Sequence, residues 1–166
     1  MELHALAMAV LLWMTGLHTG YSIPNVPPTF VLASKAEICR LFLRKETEGM
    51  TDSDLRRCAV SRVAAVYVEF DKKDPDTHDT VYIPDDFDPR DVFAQAQVAH
   101  ETGHYVQRVN GVFDLLREGK ITVGAIEGEG HQFQKMWFHT QNNSEAQARI
   151  FAGIPEASRQ TARVVP

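Results

Sequence analysis

The stretch from Asp88 to Gly111, DPRDVFAQAQVAHETGHYVQRVNG, leaves the chain few ways to fold. Asp88 followed by Pro89 reads as an N-cap with proline at the first helical position, and Asn110-Gly111 reads as a stop. Between them Val92, Ala96, Ala99, Gly103 and Val106 recur at spacings of four and three and draw one apolar face. Val98, Tyr105 and Val109 draw a second. A helix that is apolar on two sides needs cover on both, so this one belongs at the centre of the fold. Its alanines and glycine let a neighbour approach closely.

The same helix carries HETGH, with His100 and His104 four residues apart and Glu101 directly after the first. Residues i and i+4 lie one turn apart on one face, so the two imidazoles can converge on a single ion. Neutral imidazole nitrogen is a preferred zinc ligand, and a catalytic zinc takes three protein ligands and a water. Glu101 lies about 100° round the helix from His100, close enough to hold that water without ligating. It is the candidate general base: zinc acidifies the water, the carboxylate takes its proton, and the oxygen attacks a carbonyl.

A third ligand must come from elsewhere. AIEGEGHQFQKMWF, Ala125 to Phe138, falls in a helix expected from about Val123 to Thr140 and offers Glu127 and Glu129. Glu127, Gly130, His131, Gln134 and Phe138 share one face, whereas Ile126, Gly130, Phe133 and Trp137 share another with Glu129 at its margin. The polar face suits a site, so Glu127 is the preferred ligand and Glu129 the alternative. Gly130 would let this helix pack tightly on the other near Gly103. His131 stands ready as a further ligand, a hydrogen-bonding group or an oxyanion donor. Tyr82 and Tyr105 are further candidate donors. Gln107 and Gln134 are placed to line the site or to bond backbone groups.

HExxH followed by a glutamate on a later helix resembles the gluzincin metallopeptidases. Glu127-Gly128-Glu129-Gly130-His131 is similar to their ligand setting, with Glu127 in the ligand place, 23 positions beyond His104 (127 − 104). HExGH with E-x-E-small also resembles the ImmA/IrrE-type peptidases. IPDDFDP, VAHETGHYVQ and EGEGHQFQKMWF together resemble a group of small uncharacterised exported bacterial proteins with the motifs HExxH-x-x-Q and E-x-x-A-x-x-x-Q. The likeness spans about Tyr82 to Phe138. It departs at His131, where gluzincins often carry an acid that orients a metal-bound histidine, and at Gly130, which stands where the exported group has alanine. The resemblance implies a zinc metallopeptidase, one Zn²⁺ per chain, a peptide or protein substrate, and a strand beside the helix that pairs with an extended peptide; TVYIP, Thr80 to Pro84, is the candidate, with a plain core strand as the alternative.

The remaining elements are shorter. Ser34 to Arg44 and Thr51 to Ser61 read as helices with caps at Ser34 and in TDSD. Arg62 to Phe70 and Thr80 to Pro84 read as strands joined in a long-looped hairpin, and Glu145 to Phe151 as a last short helix. With 166 residues the chain is long enough for one domain and short for two. The expected fold is therefore α+β: a mainly helical, minimal zincin-like domain over residues 34–154. A small antiparallel sheet would pack beside the HExxH helix, and residues 155–166 would form a tail.

The N-terminus carries an apolar run, ALAMAVLLWM, too short to span a bilayer. With small residues at Gly20 and Ser22 it reads as a secretory signal peptide over residues 1–22, followed by a proline-rich linker over 23–33. It lacks a basic n-region, the first Lys or Arg being Lys35; the alternative is a buried apolar helix. Cys39 and Cys58 fit export, because an exported chain can hold a disulfide; the alternative is two buried thiols. The expected location is secreted or periplasmic, with no stable membrane span after signal removal. A net charge of −5 without a basic stripe argues against nucleic acid as a partner. Outside the peptidase class stand two alternatives, an envelope binding or structural protein whose metal only stabilises the fold, and a metal-free module.

Overall fold

The computed structural model describes residues 2–44, 49–60, 64–69, 71, 73–74 and 76–141. They form a mainly helical α+β protein with six helices and three strands among the described residues. The chain divides into two compact units, Thr29–Phe87 and the combination of Met1–Pro28 with Asp88–Pro166.

The second of these is helical. α4, Val92–Val109, is its axis, and α6, Val123–Gln141, is its main partner. The two backbones meet at glycines. A Cβ on Gly103 would fall 2.5 Å from Phe133 Cδ2, and one on Gly130 would fall 3.1 Å from both site imidazoles. The close approach expected near Gly103 and Gly130 is therefore present. Ile126, Gly130, Phe133 and Trp137 form the buried stripe of α6, the spacing of a helix with one face covered.

α1, Glu2–Met14, packs on the same axis. Its Leu6, Ala7, Ala9 and Val10 are fully buried, and Trp13 meets Trp137 edge to face with centroids 5.2 Å apart, an arrangement that aromatic quadrupoles favour. The apolar run, read as a leader with a buried helix as the alternative, is packed as a buried helix in the full chain. A short helix, α5 (Val112–Arg117), had no counterpart in the sequence reading. It follows a turn at Gly111, whose φ of 79° is a left-handed conformation that glycine adopts without a Cβ penalty.

The start of α4 differs from expectation. Asp91, not Asp88, is the N-cap, its side chain accepting from the Phe93 amide at 3.0 Å. Asp88 instead accepts from the Arg90 amide and guanidinium. Asp88 to Asp91 closes as a turn through Asp91 N donating to Asp88 O, and Pro89 suits its second position.

The other unit holds a three-stranded sheet of order β1-β3-β2. β3 (Thr80–Pro84) is central. β1 (Thr29–Ala33) pairs parallel with all five of its residues, and β2 (Val66–Val68) pairs antiparallel with Thr80, Val81 and Tyr82. Val81 and Ile83 are buried and their neighbours less so, the alternation of a one-sided strand. Two expectations are corrected. The sheet is mixed rather than antiparallel, because TFVLA, within the segment read as linker, is a strand. TVYIP is not an edge open to a peptide, because β1 occupies one side along its full length and β2 takes most of the other. α2 (Lys35–Leu43) and α3 (Asp52–Val60) complete the unit, joined by the Cys39–Cys58 disulfide. The helix expected at 145–151 lies outside the described residues.

Candidate metal centre

α4 is buried without interruption from Val98 to Gln107, so the polar groups of HETGH lie inside the protein. His100, Glu101 and His104 are 5%, 4% and 6% exposed, and a polar group that deep must find a partner or an ion. The two imidazoles face each other with Nε2 atoms 3.0 Å apart. Glu127 comes from the first turns of α6 and puts one carboxylate oxygen 3.3 Å from His100 Nε2 and the other 3.3 Å from His104 Nε2. Gly130, one turn further on, has no side chain to hold α6 away from the two rings.

The two imidazole nitrogens thus lie 3.0 Å apart, and each lies 3.3 Å from its own oxygen of the Glu127 carboxylate. Donors placed tetrahedrally at about 2.0–2.1 Å from one centre stand roughly 3.3 Å from each other, so these separations are close to those of ligands that share an ion. The donor atoms of His100, Glu101 and His104 also lie within 4.8 Å of one another. The buried His-Glu-His cluster could hold a metal ion. His100 Nδ1 has no hydrogen-bond partner among the described residues, so packing fixes that ring, with His131 meeting it edge to face at 4.8 Å.

Without an ion the groups act on one another. The hydrogen bonds with His100 and then His104 hold the Glu127 carboxyl far below the usual carboxylate range, against the opposing effect of its burial. Burial alone would lower the pKa of His104. The hydrogen bond with Glu127, the Glu101 charge and the bond with Gln107 outweigh it, and the pKa stands above its ordinary value. A cation is thus favoured at this point, whether proton or metal.

A second layer holds the first. His104 Nδ1 lies 2.8 Å from Gln107 Oε1. Gln107 Nε2 donates to Ile126 O at 3.1 Å and to Glu129 Oε1 at 2.9 Å. Glu129 is engaged by Gln107, and it also accepts from the Tyr21 hydroxyl at 2.6 Å. Burial first, then the bond and charge of Glu129, push the Tyr21 pKa well up. On the other side Gln97 Nε2 donates to Glu101 Oε1 at 2.8 Å, and Gln134 Nε2 donates to Gln97 Oε1 at 3.3 Å. Gln107 therefore touches a histidine directly, and Gln134 reaches Glu101 through Gln97.

The donor candidates fare differently. Tyr105 donates its hydroxyl to Val26 O at 3.0 Å. His131 is exposed and its Nδ1 lies 2.8 Å from the Glu127 carbonyl, where only a donated N–H fits. Tyr82 lies on β3 in the other compact unit. Two residues of the second layer were not in the sequence reading. Gln97 precedes Glu101 by four positions and was open to a helical-face argument; Tyr21, 108 positions from Glu129, was not. Compared with protein-family models, with curated proteins and with solved structures, the chain matches none of them.

Proposed function

We propose that this protein is a zinc-dependent metallopeptidase in which His100, His104 and Glu127 hold one zinc ion per chain and Glu101 is the general base. The convergence of the two Nε2 atoms, 3.0 Å apart, with the Glu127 carboxylate, 3.3 Å from each through its two oxygens, carries the proposal. Two neutral nitrogens and one carboxylate oxygen form a donor set of catalytic zinc, and three protein ligands leave a fourth position open. Bound there, zinc would acidify a water and polarise a carbonyl.

The chain supplies the rest. Glu101 is held through Oε1 by Gln97, which leaves Oε2 without a hydrogen-bond partner among the described residues. That oxygen takes a proton from water as the water oxygen bonds to the carbonyl carbon. It returns the proton to the amine nitrogen as the C–N bond breaks, so that water ends divided between the new carboxyl and the new amine. Glu127, 47% exposed at its side chain, marks the side from which a peptide can enter. The likeness to gluzincins and to the small exported group supports the same reading.

One observation supports an exported location. The Cys39–Cys58 disulfide favours an oxidising compartment, the periplasm or the cell exterior. No described helix is long and apolar enough to cross a membrane.

One observation favours the alternative of a metal-stabilised binding or structural protein. Tyr105 is engaged with Val26, and His131 in its neutral form keeps a lone pair, not a proton, on the nitrogen left after Nδ1 donates to the Glu127 carbonyl. Neither is ready to donate to an oxyanion. The full chain loaded with zinc separates the readings when assayed on unstructured peptide mixtures. The enzyme reading expects cleavage that Glu101→Gln lowers by about 10²–10⁴-fold while zinc stays at one per chain. Zinc uptake without cleavage by either protein would favour the structural reading. Equal cleavage by both would remove Glu101 as the base.

A further inference from the structure

The segment before the first strand reaches the candidate centre by a route separate from the ligand motif. α1 is anchored by its buried leucine, valine and alanines and by the Trp13–Trp137 contact. Beyond it the chain is tied to the C-terminal end of α4. Ser22 N donates to Asn110 Oδ1 and Asn110 Nδ2 donates back to Ser22 O, both at 2.9 Å. Tyr105 then bonds Val26 O. These ties hold Tyr21 where its hydroxyl donates to Glu129 Oε1 at 2.6 Å.

The consequence passes inward. Glu129 Oε1 and the Ile126 carbonyl each accept from the Gln107 amide nitrogen, so its two protons are engaged. The amide oxygen must then be the atom that faces His104 at 2.8 Å, and an oxygen there requires the proton of His104 on Nδ1. A neutral histidine with its proton on Nδ1 keeps its Nε2 lone pair, and that nitrogen is the one that lies 3.3 Å from Glu127. The orientation of one ligand is therefore set by a chain of three groups, Gln107, Glu129 and Tyr21.

We propose that Tyr21 is a positioning residue of the metal centre, fixing the ring and tautomer of His104 through Glu129 and Gln107, and that residues 2–22 belong to the functional protein. This rests on His104 being a metal ligand, as proposed above. Loss of the Tyr21 hydroxyl frees the half-buried Glu129 carboxylate to turn to solvent. Gln107 is then held by the Ile126 carbonyl alone, and its amide oxygen is less firmly fixed against the Nδ1 proton of His104. A chain cut before Ile23 lacks α1 and Tyr21 together, and loses the same hold.

The test uses the full chain and two ions. Zinc affinity is measured by competition with a chromophoric chelator, and Co²⁺ is added to read the ligand field by visible absorption. Tyr21→Phe keeps the ring and removes only the hydroxyl; it should weaken zinc by about 10–100-fold, the usual range for outer partners of a metal ligand, and change the cobalt spectrum. Adding Glu129→Gln to Tyr21→Phe should weaken it little further, since both break one chain. Wild-type affinity and spectrum in Tyr21→Phe, with the ion lost in His104→Ala, would overturn the role of Tyr21 and leave the metal reading standing. No uptake of either ion by the unaltered chain would overturn both. Mass spectrometry of the purified native protein should find residues 2–22 present; a mature chain beginning at Ile23 with full zinc affinity would overturn the second half of the proposal.

Discussion

The two compact units of this chain use their polar residues in opposite ways. In Thr29–Phe87 they end elements: Ser34 caps α2, Thr51 and Asp54 bond each other at the start of α3, and the only two cysteines of the sequence tie the helices together. In the helical unit they are placed in the middle of α4, where Gln95, His100, Glu101, Thr102, His104 and Gln107 are all buried. An unsatisfied buried polar group costs roughly 1–3 kcal/mol, so a helix with six of them is a poor stabiliser unless they serve as a network. The comparison teaches that stability and chemistry are placed in different parts of the chain. The cross-linked unit has the staple, and the unit without cysteine has the site.

That separation can be broken most sharply at the site. His104→Ala should abolish stoichiometric zinc uptake by the full chain, measured by elemental analysis after gel filtration, with the disulfide still formed. Retained zinc would mean that the ion lies elsewhere. The converse substitution, Cys39→Ser with Cys58→Ser, should lower stability by about 3 kcal/mol in denaturant unfolding and leave one zinc per chain. A loss of zinc in that variant would show that the two units are not independent in function.

Smaller changes sharpen the picture within the helical unit. Gly130→Ala places a methyl 3.1 Å from His100 Nε2 and from His104 Cε1. It should cost roughly 1–3 kcal/mol as an overpacking change and weaken zinc at the same time, because the atoms displaced are those of the ligands. Destabilisation without any change in affinity would show that the imidazoles are less tightly set than the geometry implies.

The smallest effect is in pH. In the metal-free protein Glu127 lies below its ordinary value of 4.5 and His104 above its ordinary value of 6.5. A depressed carboxyl adds stability above its unfolded pKa and loses it as pH falls through the folded value. A raised imidazole adds stability below its unfolded pKa and loses it as pH rises through the folded value. The apoprotein should thus have its highest melting temperature between those two values and decline above them, as His104 gives up its proton beside Glu101 and Glu127. Zinc replaces that proton, so the zinc-loaded protein should not show the upper decline. Equal melting curves with and without zinc would contradict this.

The ligand helix was legible in the sequence because its information is periodic. His100, Glu101 and His104 declare their faces by spacing alone, and Glu127 could be preferred over Glu129 because it shares a face with Gly130, the residue that lets α6 approach. What could not be read depends on distant partners. ALAMAVLLWM has the length of a leader and of a core helix, and its contact with Trp137, 124 positions beyond Trp13 (137 − 13), leaves no trace in the local pattern. TFVLA follows three prolines and reads with them as linker, because its pairing partner begins about fifty residues on at Thr80. The cap of α4 was misplaced by one turn because Asp88-Pro89 and Asp91 both carry the signal, and only the bond to the Phe93 amide separates them.

Zinc-edge anomalous diffraction from crystals of the full chain tests the central claim most directly. One ion per chain is expected, with His100 Nε2, His104 Nε2 and a Glu127 oxygen at about 2.0–2.1 Å, Glu101 beside the open position and Glu129 turned to Gln107 and Tyr21. An ion held by Glu129 instead of Glu127, or none between α4 and α6 in the presence of zinc, would contradict it.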